Sequence, residues 1–199
     1  MKIFAEKEAE NFLKKEGFEI INTIFVRKKN EIEKAIEKIG FPLVMKVSGR
    51  KILHKNELGG VKVGIKDYEQ AVKAFNSLLK IRNSEGVVIQ KQIHGKEFLL
   101  GIKKTPEFKQ VIAFGIGGTK VEKIRKVAFR VCPLNEKEAI DMILEIIKKD
   151  EMELNAIKKN IMKLCNLVKK YPSINELDIN PLIVEKNKAI VVDARMVSD

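Results

Sequence analysis

Ala9, Phe12 and Leu13 recur at helical spacing between Ala5 and Lys15, and Gly17 follows as a stop. The period then changes, and Glu19 to Val26 reads as a strand. Asn30 can cap a second helix, in which Ile32, Ala35, Ile36 and Ile39 form one apolar face before Gly40-Phe-Pro ends it. Leu43 to Ser48 is a short apolar strand holding one lysine, Val61 to Ile65 is another strand, and Asp67 to Ile81 is an amphipathic helix. Gly86 to Gln92, Glu97 to Lys103 and Val111 to Phe114 read as strands, and Gly115-Ile-Gly-Gly118 separates them from a further strand at Val127 to Val131. Helical patterns at Asn135 to Ile147 and Glu153 to Lys170 precede two closing strands, Glu176 to Val184 and Ala189 to Arg195, around a turn at Lys186-Asn187-Lys188. Several adjacent strands have no helix between them and cannot all belong to βαβ units. The pattern therefore predicts an α+β arrangement with antiparallel sheet.

Composition narrows the class. The chain has 199 residues, 45% apolar and 33% charged, a globular balance that suits one domain or two small lobes. Cys132 and Cys165 match no metal spacing and are too few for a disulfide framework, so reduced thiols and a cytoplasmic setting are expected. Charge interrupts the N-terminus before a signal sequence could form, and no apolar run approaches the ~20 residues of a membrane span. Lys plus Arg exceeds Asp plus Glu by 39 − 27 = +12. The lysines are scattered beside glutamates, and with 6% aromatic residues and no Trp there is no stacking platform for nucleic acid. A lysine-rich solvated surface accounts for the excess, and neither nucleic acid nor membrane is expected as a partner.

Three places carry candidate chemistry. Lys46 sits in the apolar strand Leu-Val-Met-Lys-Val, where an ammonium must find an anion or snorkel to the sheet edge. The segment from Ser48 to Gly64 follows, with Arg50, Lys51, Lys55 and Lys62 around Gly59-Gly60. Glycines let backbone N–H groups approach a phosphate closely, though the spacing fits no Walker loop. His54 lies in this loop, where neighbouring positive charge favours a neutral ring able to accept a phosphoryl group; a packed or solvent-facing histidine is the plain alternative. In the C-terminal hairpin, Asp178 and Asn180 are two apart and share a strand face. A turn of two or four residues would set Asn180 opposite Asp193, and a three-residue turn would separate them. Ile179, Pro181, Ile183, Ile190, Val192 and Ala194 would then form the buried face. A carboxylate and an amide converging above a sheet suit a hard divalent cation and its phosphates, while an exposed polar face is the structural alternative.

Five motifs in order complete the picture: Gly-Phe-Pro-Leu-Val-Met-Lys-Val, Ile-Leu-His-Lys-Asn-Glu-Leu-Gly-Gly-Val-Lys-Val-Gly, Phe-Gly-Ile-Gly-Gly-Thr-Lys-Val-Glu, Ala-Phe-Arg-Val-Cys-Pro-Leu, and Glu-Leu-Asp-Ile-Asn-Pro-Leu with Val-Asp-Ala-Arg. Nearly the whole chain thereby resembles the ATP-grasp β subunit of ADP-forming acetyl-CoA synthetase, a relative of succinyl-CoA synthetase. The resemblance implies an ATP-grasp fold over residues 1–199, with approximate lobes 1–85 and 86–199 closing on a nucleotide cleft. It implies a phosphoryl relay through His54 between an acyl phosphate and ADP or ATP, with Mg²⁺. It implies a hetero-oligomer with a CoA-binding α subunit. By motif match, Lys46 contacts the nucleotide phosphates beside Gly59 and Gly60. Gln90 to Ile93 form the adenine hinge, Glu97 lies near the ribose, and Asn180, Asp193 and Asp178 hold the metal.

The chain departs from the family pattern at four places. Its hinge reads Gln-Lys-Gln-Ile, Thr119-Lys120 follow the glycine pair, Lys126 stands where an aspartate is usual, and Ile147 to Ala156 lacks the usual Lys-Gly-x-Arg-Gly loop. The Thr119-Lys120 pair and Lys126 are expected near the cleft, where the two lysines add positive charge. Two other functions fit the same motifs: an ATP-grasp carboxylate ligase that needs no phosphohistidine, and a non-catalytic nucleotide-binding regulatory subunit.

Overall fold

A computed structural model describes residues 1–4, 6–49, 52, 55, 57–118, 126–148 and 151–199. His54, Arg50, Lys51, Thr119 and Lys120 lie outside the described residues. The chain divides into two compact units, Ile21–Ile93 and a second made of Met1–Ile20 with His94–Asp199. These bounds differ from lobes cut at 85/86 for two reasons: residues 86–91 form a strand paired with residues 23–26 and 43–48, and the first twenty residues join the C-terminal part, where Ile20 bridges Val191 and the Val191 N–H donates to Glu19.

Residues 21–93 build a four-stranded antiparallel sheet. Its strands are β2 (Thr23–Val26), β3 (Leu43–Ser48), β4 (Val61–Ile65) and β5 (Gly86–Lys91), in the order β2-β5-β3-β4. Two helices, α2 (Ile32–Ile39) and α3 (Tyr68–Leu79), cover one face. Strand alternation sends Leu43, Met45 and Val47 of β3, with Val87 and Ile89 of β5, into the core against Ile32, Phe75 and Leu78. Each such burial contributes about 1.5–3 kcal/mol. The α3 start is fixed by Asp67, whose Oδ1 accepts from the Gln70 N–H at 2.8 Å. Asn30 does not cap α2. It lies within a single 3₁₀ turn, Lys29–Glu31, and the Glu31 carboxylate takes the N–H groups of Arg27 and Lys28 at 2.6 and 3.0 Å. The carboxylate thus ties the turn back onto the two residues before it, and α2 itself starts at Ile32 with no side-chain cap.

The other unit holds a seven-stranded antiparallel sheet. Its strands are β1 (Lys2–Ile3), β6 (Lys96–Thr105), β7 (Lys109–Ile116), β8 (Val127–Val131), β9 (Ile174–Glu185), β10 (Lys188–Val191) and β11 (Ala194–Ser198). They run β1-β11-β9-β6-β7-β8, with β10 paired to β9. Helices α1 (Glu6–Lys15), α4 (Glu136–Leu144) and α5 (Glu151–Lys170) share a core with one sheet face, including Leu13, Phe98, Leu100, Phe114, Ile143, Ile157, Leu164, Leu177 and Ile179. Asn135 and Glu138 close a reciprocal capping box at the head of α4, at 2.9 and 2.8 Å. Cys132 and Cys165 are free thiols with their sulfurs 3.9 Å apart.

One expectation about the terminal hairpin is corrected. The strand Ala189 to Arg195 is interrupted at Val192–Asp193, and the buried face changes parity there. Leu177, Ile179 and Ala194 join the helix-covered core, and beyond the break Leu182, Val184, Ala189 and Val191 do; Ile183 and Val192 are buried as well but outside that core, and Pro181 and Ile190 are only half-buried. The cause is a bulge. Phe98 of β6 faces Leu182 while Leu100 faces Ile179, so Asn180 and Pro181 together oppose Leu99. An extra residue shifts every later side chain to the other face.

Candidate functional site

The bulge places the polar residues. A two-residue turn, Lys186–Asn187, pairs Leu182 with Val191, and Ile179 pairs with Ala194 beyond the break. Asn180 and Asp193 therefore stand directly opposite, joined by an Asn180 N–H to Asp193 carbonyl bond of 3.1 Å. Asp178 shares this face, away from the helix-covered core, with Arg195 as its cross-strand partner. Burial pushes the Asp178 carboxyl up to about 6, reinforced by the charges of Asp193 and Glu176 and only partly offset by Arg195.

The glycine loop supplies what sequence reasoning missed. The Gly118 N–H donates to Asn180 Oδ1 at 3.0 Å, fixing the amide. Gly118 has φ +70°, and a Cβ there would sit 1.4 Å from Glu97 Oε2. Only glycine lets the loop lie this close to the Glu97 side chain. Glu97, Gly118 and Asn180 are thereby one contact group, with Asp193 and Asp178 next along the sheet. The signal was the Gly117-Gly118 pair itself, whose partners no pattern of spacing reveals. Lys126 is corrected: its ammonium donates to the Ile146 carbonyl at 3.3 Å, just beyond the C-terminal end of α4. A cation there answers the helix dipole rather than charging a cleft.

Among the described residues no three His, Cys, Asp or Glu side chains cluster as a metal site. Two carboxylates and an amide oxygen remain, with Asp178 desolvated and repelled by its neighbour. That donor set fits Mg²⁺, which takes one or two carboxylates and completes its shell with substrate phosphates and water.

In the unit 21–93, Lys46 is 5% exposed on the sheet face opposite the helices. Val44 and Lys46 of β3 pair with Gln90 and Val88 of β5, so Lys46 and Gln90 are diagonal neighbours on that face. Gln90 is 2% exposed, and its Oε1 has no hydrogen-bond partner. The segment after Gln90 is held at both sides. Lys91 Nζ donates to the Phe41 carbonyl, the Gln92 N–H to Pro42 at 2.9 Å, and Gln92 Oε1 accepts from Gly64 at 2.7 Å. Ile93 ends this segment and is half-buried. Gly59 has φ +62°. The Gly60 N–H donates to Lys55 at 2.7 Å and its carbonyl accepts from Val47 at 2.8 Å, so Gly60 seats the loop on β3 and its N–H is already engaged.

Comparison with known proteins identifies the family and the fold. Residues 1–197 match the family described as ATP-grasp domain. The chain is 34% identical to Acetate–CoA ligase [ADP-forming] I subunit beta of Pyrococcus furiosus, over 96% of this chain and 90% of that one. It is 35% identical to Acetate–CoA ligase [ADP-forming] II of Archaeoglobus fulgidus, over 98% of this chain but only 30% of that longer protein. Among solved structures it resembles dinucleotide-forming acetyl-coenzyme A synthetase 1 of Ca. Korarchaeum cryptofilum in complex with coenzyme A, Ca-AMPCP and HgCl⁺. That match has a TM-score of 0.88 and 31% identity, covering 100% of this chain and 94% of the other. The same synthetase with coenzyme A and Mg-AMPPCP, its phosphohistidine segment pointing towards the nucleotide binding site, matches with a TM-score of 0.80 and 30% identity over 100% and 93%. The chain belongs to the ATP-grasp family, among the β subunits of ADP-forming acetate–CoA ligases.

Proposed function

We propose that this chain is the nucleotide-binding, phosphoryl-relaying part of an ADP-forming acyl-CoA synthetase, acting with a separate CoA-binding α subunit. The observation that carries the reading is the convergence of Asp178, Asn180 and Asp193 on one desolvated face, with Asn180 fixed by Gly118. Lys46 binds the nucleotide phosphates, the Gln90–Ile93 segment reads the base and Glu97 the ribose. Asn180 and Asp193, with Asp178 as third donor, would hold Mg²⁺ beside the nucleotide phosphates. When bound, the ion neutralises charge developing on the transferred phosphoryl group.

His54 is proposed as the covalent carrier. A neutral ring nitrogen attacks the phosphorus of the acyl phosphate, the carboxylate leaves, and a terminal oxygen of ADP then takes the phosphoryl group from nitrogen to give ATP. The Korarchaeum synthetase, solved with a phosphohistidine segment pointing towards its nucleotide binding site, supports a relay through a histidine. Splitting one transfer into two lets phosphate cross between distant sites without loss to water.

The deciding experiment incubates the chain with radiolabelled ATP and Mg²⁺ and locates acid-labile, base-stable label. Label on His54, absent in His54→Ala, together with acyl-CoA-dependent ATP formation only when the CoA-binding subunit is added, is the expected result. Unlabelled protein that supports normal turnover as His54→Ala would sink the relay and favour a carboxylate ligase.

A further inference from the structure

We propose that Cys132 and Cys165 form an oxidation site, at which a peroxide converts the two thiols into a reversible disulfide stapling the end of β8 to α5. Both are free thiols, and the Cys132 S–H donates to Cys165 Sγ with the sulfurs 3.9 Å apart. They are distant in sequence, so the fold alone brings them together.

Two periodicities converge on this contact. On α5, Ile157, Ile161, Leu164 and Val168 form a buried stripe, and Cys165 lies beside it at 1% exposure. On the sheet, Ala128 of β8 faces the same core, and a period of two carries that face to Cys132, which packs against it. The Cys132 N–H donates to the Gln110 carbonyl of β7 at 2.9 Å, so the strand backbone is fixed at this point. Cys132 is half-buried where Cys165 is buried, and a peroxide therefore meets Cys132 first.

The contact decides what oxidation yields. The Cys132 sulfur attacks one peroxide oxygen, the O–O bond breaks, and the departing hydroxide takes the Cys132 proton to leave as water. A sulfenic acid remains on Cys132. Cys165 Sγ then attacks that sulfur: the S–S bond forms, the S–O bond breaks, and hydroxide leaves with the Cys165 proton as a second water. The sulfurs lose two electrons in all, and the peroxide gains them. The hydrogen bond from Cys132 holds Cys165 below the usual thiol range, helped by the Leu134 N–H and the Lys169 charge and opposed by burial. A nucleophile of that kind, already in contact, outruns further oxidation to the sulfinic acid. A disulfide spans about 2.05 Å, and rotation of both side chains about Cα–Cβ supplies the remaining approach. The loop so closed, from 132 to 165, carries α4 and most of α5. Closing it removes conformations from the unfolded chain and stabilises this unit.

The test treats the full chain with excess hydrogen peroxide, quenches it by alkylation and maps the peptides without reduction. The expected product joins the peptides holding Cys132 and Cys165, lighter by two hydrogens than their sum, and dithiothreitol returns both thiols. The unfolding midpoint of the oxidised chain should stand about 5 °C or more above that of the reduced one. Cys132→Ala and Cys165→Ala, treated alike, should give neither the joined peptides nor the rise. Thiols that both survive peroxide, a disulfide between two chains, or a sulfinic acid on Cys132 of the wild type would overturn the proposal. So would an oxidised chain whose midpoint does not rise. The wild-type product decides the matter even where a variant fails to fold.

Discussion

Asn180 and Asp193 face each other across the strand pair, the amide N–H of one donating to the carbonyl of the other at 3.1 Å. Backbone pairing sets the separation of the two side chains, so their geometry does not depend on a ligand to assemble it. This is the pre-organisation that phosphoryl transfer draws on, since its catalysis is mostly positioning and charge stabilisation.

Replacing Asp193 by Asn keeps the pairing and removes one charge. The metal's contribution is greatest where negative charge develops, in the transition state rather than in the bound nucleotide. Asp193→Asn is therefore expected to lower ATP formation, assayed with the CoA-binding subunit, by about 100-fold or more, a loss of about 3 kcal/mol. Nucleotide affinity by calorimetry should change by only about tenfold or less. Equal losses in both would place Asp193 in ground-state binding alone.

Asp178 makes the opposite kind of prediction. Its folded carboxyl titrates at about 6 against an ordinary 3.8, so the native state binds more protons between those values and stability falls as pH rises through them. Above both, the ionised carboxylate costs the metal-free fold about 1–3 kcal/mol. Asp178→Asn should gain that amount in urea denaturation at pH 7.5 with EDTA. Mg·ADP should then stabilise the wild type more than the variant. A variant that is less stable without metal would show that Asp178 serves the fold rather than a cation.

How much of this was legible in sequence depends on which interaction decides each position. The Asn180–Asp193 pairing is readable because the two-residue turn Lys186–Asn187 fixes parity on both arms. The parity change beyond Asn180 is not, since it comes from pairing with β6, a strand some eighty residues earlier whose register leaves Asn180 and Pro181 opposite Leu99. Local chemistry has the same limit. Asn30 is an ordinary capping residue, yet Glu31 takes two N–H groups at once. Lys126 reads as charge beside a cleft until its hydrogen bond to Ile146 is seen. Gly118 looks like loop flexibility, and the contact with Glu97 that forbids a side chain is long-range.

The adjacent glycines of the histidine-bearing loop are required for different reasons, and substitutions should separate them. A Cβ on Gly60 would lie 2.6 Å from Val47 Cγ1 and 2.8 Å from the Lys55 carbonyl, whereas one on Gly59 meets nothing within 4 Å and suffers only from φ +62°. Gly60→Ala should cost about 1–3 kcal/mol and Gly60→Asn more. Gly59→Ala should cost about 1–2 kcal/mol and Gly59→Asn clearly less, since asparagine tolerates the left-handed region. Chemical denaturation of the four variants checks the order. If Asn rescues position 60 but not 59, the two causes have been exchanged.

Gln90 offers a test of base recognition. Its side chain is buried with Oε1 unpartnered, on the face it shares with Lys46. Such a group costs the fold about 1–3 kcal/mol, which a ligand donor can recover. The exocyclic amine of adenine is such a donor, and hypoxanthine lacks it. Wild-type chain should therefore prefer ADP over IDP by about tenfold or more. Gln90→Met fills nearly the same volume without the acceptor. It should hold or raise the unfolding midpoint while bringing the affinities for ADP and IDP together, chiefly by weakening ADP. Calorimetric titration of both nucleotides into both proteins decides it. An unchanged preference in Gln90→Met would mean that the backbone of the segment through Ile93 reads the base alone, and that the buried acceptor answers to something else.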